Sequence, residues 1–145
     1  MAETLKERIR SDLNVARRER DRQRTVLLTT LLSDIRNREI ELGHELNDAE
    51  TVEVVSRAIK RRQEAAEQMR AGKRADLAEK EEQEAALLAA YLPPPLGEAE
   101  VRALVREAIE AGAKTVGEVM GRIMPQIKGR FDGKEANRIV REELG

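Results

Sequence analysis

Three consecutive prolines, Pro93-Pro94-Pro95, set the strongest limit on what this chain of 145 residues can fold into. Each ring fixes φ, removes an amide donor and biases the preceding residue away from helical backbone. Neither a helix nor a sheet ladder crosses such a run. The chain is therefore expected to divide there, into an amino-terminal part over 1–92 and a smaller carboxy-terminal part over 97–145.

On both sides of that divide the apolar residues recur at helical spacing. Leu5, Ile9, Leu13 and Ala16 line one face of a first segment, and Leu28, Leu31, Leu32, Ile35 and Leu42 line a second. A break is placed near Asp21, whose short carboxylate suits a helix N-cap, and Gly43 closes the second helix. Asn47 with Glu50 has capping-box spacing and opens a third helix through Val52, Val55, Ile59, Ala66 and Met69. Gly72 interrupts it. Asp76 with Glu79 repeats the capping-box spacing and opens a fourth helix through Leu77, Ala85, Leu88 and Leu92. The short connection around Gly72 predicts an antiparallel αα-hairpin.

Beyond the prolines, Val101, Leu104, Val105, Ala108 and Ile109 form a fifth stripe, ended by Gly112. Thr115 and Glu118 cap a sixth helix, and Asp132 with Glu135 is expected to cap a seventh. Pro125 inside the sixth is expected to kink it. Gly117 and Gly121, one turn apart, leave a shallow groove for a neighbouring helix or a nucleic-acid backbone. The expected class is all-α, with an amino-terminal hairpin or bundle followed by a small three-helix part.

Composition removes several kinds of function. There is no Cys, and a single His44, so neither a thiolate metal site nor a histidine cluster can be built. No apolar stretch approaches the roughly 20 residues that cross a bilayer, and the amino terminus is charged where a signal peptide is apolar. A soluble, cytoplasmic protein is expected. Phosphate-loop, dinucleotide and Gly-x-Ser-x-Gly patterns are missing, and Ser11, Ser33 and Ser56 lie within helical runs. No catalytic residue, metal ligand or cofactor is assigned. The acidic run Glu79–Glu84 reads as an exposed face, and His44 as a hydrogen-bonding loop residue.

Two basic clusters stand out against a formal net charge of −1. Arg17, Arg20 and Arg24 share one face if the helix continues through them, and Arg57, Lys60, Arg61 and Arg62 form a shorter group. Either set can be solvated and paired with nearby acids, or can meet phosphates. The second cluster surrounds Lys128-Gly129-Arg130-Phe131-Asp132-Gly133-Lys134. Between Arg122 and Arg141 six basic residues stand against two acidic ones. A helix amino terminus flanked by Lys and Arg is suited to a phosphate. Arg122, Lys128, Arg130, Lys134 and Arg138 are the candidate RNA contacts, with Gly121, Gly129 and Gly133 allowing close backbone approach. The competing reading is structural: Gly129 ends one helix, Asp132 caps the next and Phe131 packs inward.

The motifs themselves resemble the YqeY family, related to the tail of the B subunit of the aspartyl/glutamyl-tRNA amidotransferase. The match runs through Leu5-Lys6-Glu7-Arg8, Ala71-Gly72-Lys73-Arg74-Ala75-Asp76-Leu77-Ala78 and Tyr91-Leu92-Pro93. It continues through Met120-Gly121-Arg122-Ile123-Met124-Pro125 and the Lys128–Lys134 link. The resemblance implies an all-helical two-part fold. It also implies an association with tRNA, because in the amidotransferase the related tail engages tRNA while a separate body binds ATP. A carbon–nitrogen ligase label would reach this chain by shared ancestry, since nothing in it resembles that catalytic body or the amidase subunit. The expected function is a non-catalytic tRNA-binding or tRNA-associated module. The alternatives are a helical protein–protein adaptor and an accessory subunit of an amidotransferase or other translation-related assembly.

Overall fold

A computed structural model describes residues 2–145. The described residues form seven α-helices and no strand: α1 (Leu5–Arg18), α2 (Arg22–Leu42), α3 (Asp48–Ala71), α4 (Ala75–Ala89), α5 (Glu98–Glu110), α6 (Val116–Ile127) and α7 (Gly133–Leu144). The all-helical expectation from apolar periodicity is met. The chain forms two compact units, one ending at Tyr91 and the other running from Leu92 to Gly145.

The first unit is two helical hairpins. Within α1, Ile9, Leu13 and Ala16 are buried, as the stripe requires. Asp21 opens α2 by accepting a hydrogen bond from the Arg24 amide at 3.1 Å, and the left-handed Gly43 closes it. The break before Asp21 means that Arg17, Arg20 and Arg24 do not form one continuous stripe. Arg20 itself is left-handed, at φ 58°. Asn47 and Glu50 form the reciprocal capping box at the start of α3, at 2.8 and 3.1 Å.

The hairpin of α3 and α4 forms, with two details that differ from the sequence reading. Asp76 does not cap α4; Arg74 occupies the N-cap position without a side-chain bond, and Asp76 lies in the first turn. Leu77 is 37% exposed, so the buried stripe of α4 is Ala78, Ala85 and Leu88, and α4 stops short of Leu92. The turn explains the shift. The Arg74 amide reaches the Met69 carbonyl at 2.7 Å and the Lys73 amide reaches that of Arg70 at 3.0 Å. These are the two bonds of a Schellman closure, which puts the left-handed residue at Lys73 (φ 61°) rather than at Gly72 (φ −85°).

Tyr91 closes this unit. Its ring is buried, its hydroxyl donates to Asp12 Oδ2 at 2.5 Å, and the Arg8 guanidinium lies 5.0 Å from the ring centroid. Burial, reinforced by the Asp12 carboxylate, pushes the hydroxyl pKa well above that of an ordinary tyrosine.

In the second unit Val101, Val105, Ala108, Val119, Ile123, Ile127, Ala136, Ile139 and Val140 make one core, with Phe131 packed against it. Thr115 and Glu118 cap α6 as expected, and α6 continues through Pro125 to Ile127.

Left-handed backbone costs an L-residue with a Cβ about 1–2 kcal/mol. Lys73→Gly and Arg20→Gly are each expected to stabilise the first unit, by about 0.5–1 kcal/mol after the added freedom of glycine in the unfolded chain is offset. The urea midpoint read by helical circular dichroism checks this, and a lowered midpoint would count against the Schellman assignment.

Candidate nucleic-acid interface

The link between α6 and α7 is built by a tight reversal. The Lys128 amide donates to Met124, Gly129 takes φ 74°, and the Arg130 and Phe131 amides both return to the Ile127 carbonyl, at 2.8 and 3.0 Å. A side chain at Gly129 would be strained by that φ. Phe131 is thereby turned onto the core. Gly121 and Gly133 have another character. A Cβ at either would meet nothing within 4 Å, so no neighbouring helix of this unit occupies the space over them. Gly117 is likewise exposed, and a Cβ there would touch only Thr115 Oγ1 at 3.9 Å. The shallow groove on α6 is an open face.

Asp132 stands at the N-cap of α7 but makes no side-chain capping bond. Its expected role as a cap is corrected, and Glu135 explains part of the change. Instead of folding back on the N-cap amide, the Glu135 carboxylate accepts from Arg138 Nε and Nη2, at 3.1 and 2.9 Å.

The five candidate cations divide into groups. Arg122 on α6 and Lys134 in the first turn of α7 are exposed, and neither makes an ion pair with another described residue. Lys128 is exposed at the C-cap of α6. Arg130 is a structural strut as well as a charge. Its Nε donates to the Pro94 carbonyl at 2.9 Å, and its own carbonyl accepts from the Leu96 amide at 2.9 Å. Arg138 is fully engaged. Besides Glu135 it binds Glu142 at 2.6 Å and Glu98 at 3.3 Å.

Arg138 is one node of a larger network tying α5 to α7. Arg102 binds Glu98, Glu142 and Glu143, and Arg106 also binds Glu143. The excess of positive charge counted locally over Arg122–Arg141 therefore leaves out Glu142, which follows it in sequence, and Glu98, which folding brings to Arg138. Arg102 holds the Glu98 and Glu142 carboxyls below the ordinary range, and Arg106 does the same for Glu143. The guanidinium groups of Arg102 and Arg138 are stabilised in their charged form in turn, with Glu142 and Glu135 as the leading partners.

Of the Arg57–Arg62 group, Arg61 and Arg62 are paired. Arg61 binds Asp34 at 2.8 Å, Arg62 lies 3.6 Å from Glu84 and donates to the Ala58 carbonyl at 3.0 Å, and Arg70 binds Glu82 at 2.6 Å. The acidic run of α4 thus turns part of itself toward α3. His44 contacts the Glu45 carbonyl at 2.8 Å and lies 3.5 Å from Glu50, in the loop after Gly43.

A family model described as "Yqey-like protein" matches residues 6–144, which takes in both units and every residue of the link. The chain belongs to the YqeY family. Among curated proteins, the YqeY-family chain is 30% identical over 144 residues to "Altered inheritance of mitochondria protein 41, mitochondrial" from Pyrenophora tritici-repentis. That alignment covers 95% of this chain and 80% of the fungal protein. Among the described residues no helix is long and apolar enough to cross a membrane.

The α5–α7 network makes the second unit acid-sensitive in a defined direction. Its carboxyl pKa values are depressed in the folded state, so their stabilisation is complete above the unfolded carboxylate pKa. It is lost as pH falls through the lower folded values, that is, below about pH 4.5. The expected outcome is an acid-side fall in urea midpoint that Glu143→Gln flattens. Equal acid slopes for the two proteins would contradict the network's role.

Proposed function

We propose that this YqeY protein is a non-catalytic, tRNA-associated module that meets folded RNA through phosphate and sugar at the α6–α7 side of its second unit. The observation that carries the reading is the open space over Gly121 and over Gly133, each followed in sequence by an exposed cation, Arg122 and Lys134, that has no carboxylate partner among the described residues. Backbone can approach such a face closely, and unpaired Lys and Arg gain by releasing counterions from phosphate. The likeness to the amidotransferase tail supplies the choice of tRNA. With Tyr91 buried in the other unit and Phe131 turned onto the core, the side chains that stack splayed bases are not on offer, which favours reading RNA by shape.

The five contacts first assigned are not equivalent in this reading. Arg122 and Lys134 are primary. Lys128 stands at the turn between them in sequence, Arg130 adds charge while bracing Pro94, and Arg138 serves the carboxylate network. A cytoplasmic location belongs to the same proposal, the mitochondrial label being that of the fungal relative. A carbon–nitrogen ligase activity is not part of it. No feature of the fold favours an adaptor role over RNA association, and co-purification of a stoichiometric polypeptide in place of RNA is the finding that would reverse that order.

Charge reversal at Arg122 and Lys134 together is expected to weaken binding to unfractionated tRNA. It should also reduce the slope of log affinity against log salt by about two, one phosphate per cation. Arg138→Gln is expected to lower the denaturation midpoint with little change in that slope. Filter binding across a salt series, with tRNA affinity and slope unaltered by the double reversal, would sink the assignment.

A further inference from the structure

The first unit carries a charged groove that neither the family membership nor the reading above uses. It lies between α1 and α2 and has a volume of about 380 Å³. Lys6, Arg10, Leu13 and Arg17 line it from α1, and Thr29, Leu32, Ser33, Arg36 and Glu39 from α2. Four cations therefore face a single carboxylate. That carboxylate is committed to one of the four: Glu39 accepts from Lys6 Nζ at 2.8 and 3.0 Å and from the Leu46 amide at 3.0 Å, which leaves Arg10, Arg17 and Arg36. The Lys6 hydrogen bond is the main reason its pKa is lowered, so it stays ionised and saturated.

The antiparallel register does the rest. Lys6 pairs with Glu39, and one turn further along α1 and one turn back along α2 come Arg10 and Arg36, which line the two walls of the same groove. Neither arginine makes a hydrogen bond or ion pair with another described residue. Like charges on facing walls cost stability, and the one carboxylate lining the groove, Glu39, is hydrogen-bonded to Lys6 and reaches Arg10 only through its field. Arg17 has a structural reason to exist, since it stands in the last turn of α1 at the negative end of the helix dipole. Arg10 and Arg36 have no such reason. Ser33 keeps its hydroxyl proton available, whereas Thr29 donates its own to the Thr25 carbonyl at 2.7 Å.

We propose that this groove binds a linear chain of phosphates, with Arg10 and Arg36 clamping one phosphate from either side, Arg17 meeting a later one and Ser33 donating between them. Arg10 and Arg17 are seven residues apart on one helix, roughly 10 Å, so a single phosphate cannot serve both. Guanidinium groups offer forked donors to phosphate oxygens, and a shared anion converts the opposition of Arg10 and Arg36 into a bridge. Leu13 and Leu32 form an apolar floor, and no aromatic ring lines the groove. The recognised group is therefore the phosphate chain and not a base. That chemistry occurs in polyphosphates, including the tail of a nucleoside triphosphate, and in a phosphodiester backbone.

The test is calorimetric titration of the full chain at low salt with inorganic tripolyphosphate, ATP and a short single-stranded RNA. Arg10→Gln and Arg36→Gln are each expected to lose at least about tenfold in affinity for whichever of the three binds. Arg18→Gln, exposed and outside the groove, and the Arg122/Lys134 reversal are expected to leave tripolyphosphate binding unchanged. Binding of tripolyphosphate or ATP identifies a polyphosphate source, and groove-dependent binding of RNA alone identifies the backbone. Unliganded Arg36→Gln should melt at or above the temperature of the natural sequence, because a repulsion has been removed. Absence of binding in all three titrations, affinity indifferent to Arg10 and Arg36, or a lowered unliganded melting point would each overturn the proposal. Because the double reversal lies in the other unit, failure of the tRNA reading and failure of the groove give separate results.

Discussion

Burying aliphatic stripes with almost no aromatic surface is the constraint on which both units rest. One Tyr and one Phe are all the rings available, so each core is made of Leu, Ile, Val and Ala on helices held close by short links. Small side chains bury little area apiece, and the gain comes from many of them interlocking on a repeated face. That explains why the connections are so closely specified. Arg20, Lys73 and Gly112 each sit at a left-handed position, each followed by an amide that reaches back five residues to a helix carbonyl. Two of these three positions carry long basic side chains where glycine is the usual occupant. The tightness of the turn evidently matters more to the hairpin than its local strain.

What covers the cores is charge, and the two units dispose of it differently. In the second unit, Arg102, Arg106 and Arg138 are shared among four carboxylates, so that α5 and α7 are joined at their surface as well as through Val101, Val105, Ile139 and Val140. In the first unit, Asp34, Glu82 and Glu84 each take one arginine, and the face between α1 and α2 is left with cations in excess. Exposed ion pairs contribute little each and weaken with salt, whereas a network of several charges holds its members in place. An unneutralised face is the arrangement that has something to gain from an outside anion.

The helices and most of their ends were legible because the responsible forces are local. Asp21, Asn47, Thr115 and Gly43 do what their residue types and neighbours dictate, and the 3.6-residue period placed the stripes. Asp76 and Asp132 misled for a local reason too. A Schellman closure moved the start of α4 ahead of Asp76, and at α7 Glu135 found a better partner in Arg138 than the N-cap amide. The candidate interface was only half legible. Counting charges along the chain could find Arg122 and Lys134, but it could not see that Glu98 arrives from α5 to share Arg138. The α1–α2 groove was missed altogether. Arg10 and Arg36 belong to different helices, and only the antiparallel register brings them to opposite walls. The signal was present as an i, i+4, i+7, i+11 row of Lys6, Arg10, Leu13 and Arg17, once its partner helix is laid beside it.

The Tyr91–Asp12 bond has an optical corollary. With no tryptophan, nearly all near-ultraviolet absorbance of the chain comes from that one phenol, whose hydroxyl donates to a carboxylate, an arrangement expected to quench its emission. Release of Tyr91 should brighten the fluorescence and report the first unit alone, because the second unit, whose one aromatic ring is Phe131, contributes almost nothing at tyrosine wavelengths. The same scarcity of chromophore makes the ratio of absorbance at shorter and longer wavelength unusually responsive to any nucleotide the protein carries with it.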